Sequence, residues 1–88
     1  MDALLDIRQA QSLQYRLARI EGQVRGIRKM LDDQRPCDQV LMQVSAAHAA
    51  LEKVAAEVVT ASLNECLLLP PEEGRRVLTT TLALLTQI

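Results

Sequence analysis

No glycine or proline interrupts the chain between Cys37 and Cys66, and nothing else in the sequence constrains the fold as much. Within this stretch Val40, Leu41, Val44, Ala47, Leu51, Val54, Val58 and Ala61 recur at three- and four-residue steps, the repeat of a helix. The two thiols stand 29 positions apart, a rise of roughly 43 Å at about 1.5 Å per residue. They cannot meet inside one protomer unless that helix breaks. An antiparallel copy of the helix would set Cys37 of one chain beside Cys66 of the other. The spacing therefore points to a two-thiol site made by dimerisation.

Three helices account for the chain as one all-α domain over residues 1–88, without internal repeat or low-complexity tract. The first is expected from about Asp6 to Leu31, with Leu13, Leu17, Ile20, Val24, Ile27 and Leu31 as its apolar stripe. Gly22 and Gly26 lie inside it at about 1 kcal/mol each relative to alanine, and their spacing permits close approach of another backbone, helix or phosphate. Asp32-Asp33-Gln34-Arg35-Pro36 is the break, and Pro36 suits the first position of the second helix. That helix is expected to end near Leu68, before Pro70-Pro71. The third runs to about Thr86, with Glu72 and Glu73 in its first turn and Val77, Leu78, Leu82 and Leu85 holding it to the bundle. Thr79-Thr80-Thr81 weakens its propensity.

At 88 residues a single core is only marginally sufficient. The chain is nevertheless 49% hydrophobic and 1% aromatic, so its apolar surface is mainly Ala, Leu, Val and Ile. The second helix carries Val40, Leu41, Leu51, Val54, Ala55, Val58, Val59 and Leu63 around more than one face, wider than the stripe of a surface helix. Other protomers are expected to cover the excess. No apolar run approaches the roughly 20 residues of a membrane span, and Met1–Ala10 lacks the apolar core of a signal peptide. A cytoplasmic setting follows as the default.

The net charge of −1 conceals a division along the chain. Arg8, Arg16, Arg19, Arg25, Arg28 and Lys29 face a single acid, Glu21, in the first helix. From Asp32 to Glu73 eight acids outweigh Arg35 and Lys53. The first third is thereby suited to an anion, unless it is simply a solvated basic face. It lacks the turn of a helix-turn-helix and any stacking aromatic beyond Tyr15, so its cations suit phosphate contacts better than base reading.

In the cytosol two cysteines are more often reactive or metal-binding than a structural disulfide, the alternative being small buried apolar residues. Cys37 falls in the first turn of the second helix, where unpaired N–H groups and the positive dipole end favour a thiolate, and Arg35 adds positive charge. Cys66 falls near the opposite end. Position alone makes Cys37 the nucleophile and Cys66 the resolving thiol. Two thiolates also suit Cu(I), but His48 stands roughly 16 Å from Cys37 and 27 Å from Cys66 along the helix, and Ser62, one turn before Cys66, is a poor soft-metal donor. Four-ligand zinc is excluded by count. No phosphate loop or Cys–His pair supports an enzyme, and no cofactor is expected.

The run Arg16-Leu17-Ala18-Arg19-Ile20-Glu21-Gly22-Gln23-Val24-Arg25-Gly26-Ile27 closely resembles the signature of the copper-sensitive operon repressor (CsoR) family, and the resemblance continues through Cys37, Gln43-Val44-Ser45-Ala46-Ala47 and Cys66. It implies a three-helix protomer, an antiparallel dimer and a tetramer made of two such dimers. It also implies operator DNA as partner, bound through basic residues on the first two helices and released when an inducer reaches the cysteines; the cationic cluster of the first helix makes Arg16, Arg19, Gln23 and Arg25 the expected contacts, with Arg28 and Lys29 secondary.

Copper-sensing members of that family use Cys–His–Cys, with the His where Ser62 stands, and couple the site to Tyr and Glu where Pro36 and Leu82 stand. Nickel/cobalt and formaldehyde sensors usually have one cysteine, so Cys66 departs from them. What remains resembles the persulfide-sensing CstR branch. The expectation is a repressor released when Cys37 and the neighbouring protomer's Cys66 join through a di-, tri- or tetrasulfide. The alternatives are a Cu(I)-responsive repressor that uses the same two thiolates, and a helical scaffold with structural cysteines.

Overall fold

The computed structural model describes residues 6–87 as three helices, α1 (Ile7–Asp32), α2 (Cys37–Leu68) and α3 (Pro71–Leu85), with no strand among them. Residues 1–5, half of the stretch read against a signal peptide, lie outside the described residues. A reciprocal cap starts α1: the Asp6 carboxylate accepts from the Gln9 N–H at 2.8 Å, and the Gln9 side-chain oxygen accepts from the Asp6 N–H at 3.1 Å. At the other end the Arg35 N–H reaches the Met30 carbonyl at 3.0 Å and the Gln34 N–H reaches Leu31 at 3.2 Å, the paired bonds of a Schellman ending. The left-handed residue of this ending is Gln34, at φ 55°. A residue with a Cβ is strained there by about 1–2 kcal/mol, part of which a glycine returns through its freer unfolded state. Gln34→Gly is therefore expected to stabilise the fold by about 0.5–1 kcal/mol, read as a rise in urea midpoint at constant slope.

Pro36 is the N-cap of α2, at ψ 144°, and not its first helical residue. Its extended backbone leaves Cys37 to open the helix. From there α2 runs unbroken for 32 residues and sets the long dimension of a protomer measuring 54 × 26 × 16 Å. The expected separation of the thiols within one chain thus stands. Pro70 caps α3, Pro71 occupies its first turn, and Glu72 and Glu73 follow. The three threonines do not break α3; the Thr79 hydroxyl donates to the Arg75 carbonyl at 2.8 Å.

Both α1 and α3 pack on α2, and they do not touch each other. The core is small: Leu13, Ile20, Ala47 and Ala61, joined by buried Ser62 and Gly74. The α1 stripe is inward at Leu13 and Ile20, half-buried at Leu17 and Ile27, and open at Val24 and Leu31. On α2, Leu41, Met42, Val44, Leu51, Val58, Leu63, Leu67 and Leu68 are exposed in the single chain. Leu82 is also exposed and does not hold α3 in place; Thr81, half-buried, faces α2 in its stead. Gly22 and Gly26 meet no neighbouring backbone within the protomer. The close approach occurs at Gly74.

Candidate functional site

Cys37 is free and exposed as the first residue of α2. Pro36 offers no side-chain cap to the first turn, whose leading N–H groups are thus left without a side-chain acceptor. The Arg35 guanidinium donates to the Gln39 side-chain oxygen from Nε at 3.1 Å and from Nη2 at 2.8 Å, a neutral acceptor that leaves its charge in place. Asp38 shares the first turn.

Cys66 is free and half-buried in the last turn, against a backbone contact that the sequence reading missed. A Cβ placed on Gly74 would lie 2.7 Å from the Cys66 carbonyl oxygen and 3.5 Å from its carbon. Only glycine lets the first turn of α3 pass so close to Cys66. The signal available in the sequence was a glycine inside a short helix, where it is unfavourable by about 1 kcal/mol unless packing requires it. Main-chain atoms cannot move aside as a flexible side chain would, so Gly74→Ala is expected to destabilise the protein by about 1–3 kcal/mol, measured by chemical denaturation. One turn before Cys66, Ser62 is 2% exposed, and its hydroxyl shares a 3.0 Å hydrogen bond with that of Thr81. The i−4 position beside the thiol is therefore a committed hydroxyl. His48 is exposed and lies 3.6 Å from Glu52. Among the described residues of one chain, no three His, Cys, Asp or Glu side chains converge as a metal set.

The basic residues divide between two faces of α1. Arg16, Arg19 and Gln23 are spaced at i, i+3 and i+7 and rim an open cleft of about 370 Å³ between α1 and α2. Ala46, Ala49 and Ala50 of α2 line it, small residues that leave room for long cations, and Lys53 adds a further charge. Lys53 was counted with the acidic segment in the sequence and is a cleft residue in the fold. Arg25 follows Arg16 by nine residues, a turn of about 180° at 3.6 residues per turn. With Arg28 and Lys29 it is exposed outside that cleft. Arg16 crosses to α2 through its Nε, which lies 2.8 Å from the Glu57 carboxylate.

A family model described as metal-sensitive transcriptional repressor matches residues 9–87. The copper-sensing transcriptional repressor RicR of Mycobacterium tuberculosis is 42% identical over 59 residues, covering 67% of this chain and 62% of RicR. The match thus spans less than two thirds of RicR's length. The transcriptional repressor RcnR of Salmonella typhimurium is 37% identical over 70 residues, 80% of this chain and 78% of RcnR. The solved structure of the nickel-responsive transcriptional regulator InrS superimposes with a TM-score of 0.67 at 36% identity, covering 99% of this chain and 92% of that one.

Proposed function

The chain belongs to the metal-sensitive transcriptional repressor family, and from that premise we propose that it represses transcription from operator DNA and responds to reactive sulfur species through Cys37 and Cys66. The family consists of repressors and not enzymes, and no helix among the described residues is long and apolar enough to cross a membrane. The observation that carries the choice of inducer is the 3.0 Å Ser62–Thr81 bond. It commits the position beside Cys66 to a hydroxyl pair, so the donors left for an inducer are two thiols at opposite ends of one helix. A soft metal would have those two alone, an incomplete set for a closed site.

The working form is a tetramer of two antiparallel dimers in the cytoplasm. The exposed Leu and Val side chains along α2 support it, since the four buried apolar residues among those described make a weak core. In the dimer, Cys37 thiolate attacks the sulfane sulfur of a hydropersulfide: Cys37–S⁻ and R–S–SH give Cys37–S–SH and R–S⁻. The Cys66 thiolate of the other protomer then attacks the Cys37 sulfur, forming Cys37–S–S–Cys66 and expelling HS⁻. With an organic trisulfide, attack of Cys37 on the central sulfur gives Cys37–S–S–S–R and R–S⁻; attack of Cys66 on the middle sulfur then gives the trisulfide bridge and expels a second R–S⁻, and a tetrasulfide reagent gives the tetrasulfide bridge in the same way. Each route is a thiol exchange that consumes only the sulfane sulfur supplied. DNA is held by Arg16, Arg19 and Gln23 with Lys53 in the cleft, and by Arg25, Arg28 and Lys29 from the other face.

A second reading, Cu(I) as inducer bound by the two thiolates, is favoured by the likeness to RicR, a copper-sensing repressor by name. Anisotropy of labelled DNA from upstream of the protein's own gene decides between them. Polysulfide is expected to release the DNA and Cu(I) to leave it bound. Release by Cu(I) alone would transfer the assignment to copper, and failure to bind DNA would leave a helical scaffold.

A further inference from the structure

A carboxylate beside a phosphate-binding cleft opposes binding by simple charge, yet Glu57 sits there. Of the two ion pairs among the described residues, one lies within α2 and the other, Arg16–Glu57, is the one that joins two helices. It joins the helix with thiols at both ends to the helix that carries the cations. Neither partner is deeply buried, with side-chain exposures of 43% and 35%, so the pair contributes little to stability. Its value must lie in geometry. The carboxylate meets the guanidinium at Nε, 2.8 Å away, the inner edge of the group. Arg16 also rims the cleft that it shares with Arg19, Gln23 and Lys53, so a carboxylate that holds its Nε restricts where the phosphate-matching end of the group can lie.

We propose that Glu57 is a positioning residue for DNA binding, orienting Arg16 toward the phosphate and passing any displacement of α2 to that contact. The inference rests on the operator-binding reading above. Glu57 lies 20 residues after Cys37 and nine before Cys66. A bridge that draws on the ends of α2 shifts this carboxylate relative to α1, and Arg16 loses its orientation while the rest of the basic cleft is untouched.

Charge and position separate by comparing two substitutions. Glu57→Gln and Glu57→Ala both remove the negative charge, and both residues are good helix formers, but only glutamine keeps an oxygen that can accept from Arg16 Nε. The measurement is DNA affinity of the full-length protein by anisotropy at fixed salt, with stability followed by denaturation. Glu57→Ala is expected to bind about three- to tenfold more weakly than Glu57→Gln, with the difference vanishing when Arg16→Ala is also present. Polysulfide crosslinking, which uses only the thiols, is expected to proceed alike in both variants. Equal affinity of the two, or a difference that persists without Arg16, would overturn the positioning role. Absence of DNA binding by the unsubstituted protein would instead overturn the repressor reading.

Discussion

Cys37→Ser is expected to abolish release of DNA by polysulfide, with no dimer band on non-reducing gels and no mass additions in steps of sulfur. The reason is chemical. A hydroxyl at this position does not ionise near neutral pH, and attack on sulfane sulfur requires the anion. The result for Cys66→Ala should differ: sulfur is still added at Cys37, but no interprotomer bond forms and the DNA stays bound. The unbroken α2 makes this pair of outcomes diagnostic, because one chain cannot bring its own thiols together. A Cys37–Cys66 peptide shown to come from a single chain in a mixed-isotope digest, or full release by the Cys37→Ser protein, would sink the crosslink mechanism.

Arg16→Ala combined with Arg19→Ala is expected to weaken DNA binding by about a hundredfold, from two charge-assisted contacts at roughly 1.5 kcal/mol or more each. The slope of log affinity against log salt should fall by about two units for each protomer engaged, since each neutralised phosphate contributes about 0.9. Arg25→Ala with Arg28→Ala removes the same charge from outside the cleft. It should reduce the slope to a similar extent while costing less affinity, because those cations have no counterpart to the alanine-lined recess that seats Arg16 and Arg19. Unchanged affinity and slope in the Arg16/Arg19 variant would show that the cleft is not the DNA face.

The ends of the helices were legible because they are written in local chemistry. Pro36 and Pro70-Pro71 break hydrogen bonding wherever they stand, and the apolar period between the cysteines admits one structure. The grouping of the cations was less legible. A count of charges from Arg8 to Lys29 has no direction in it, whereas the roughly 100° step of a helix sends Arg25 away from Arg16. Lys53 was hidden by its acidic neighbours in sequence and revealed by the side of α2 it occupies. Ser62 stood out as a departure from the copper pattern, but its commitment to Thr81 depends on how α3 lies along α2. No pattern within either helix encodes that register. Gly74 is the same case, since its importance comes from a carbonyl eight residues away and across a corner.

The absence of contact between α1 and α3 gives the molecule two ports on a common rail. Changes on α3 and on α1 meet only through α2, so those with different neighbours on α2 should combine additively; the thiols stand on α2 itself, the same element that Glu57 and Lys53 tie to the basic face. Epistasis should concentrate in α2, the one element that both ports must agree on, and drift there should be slow.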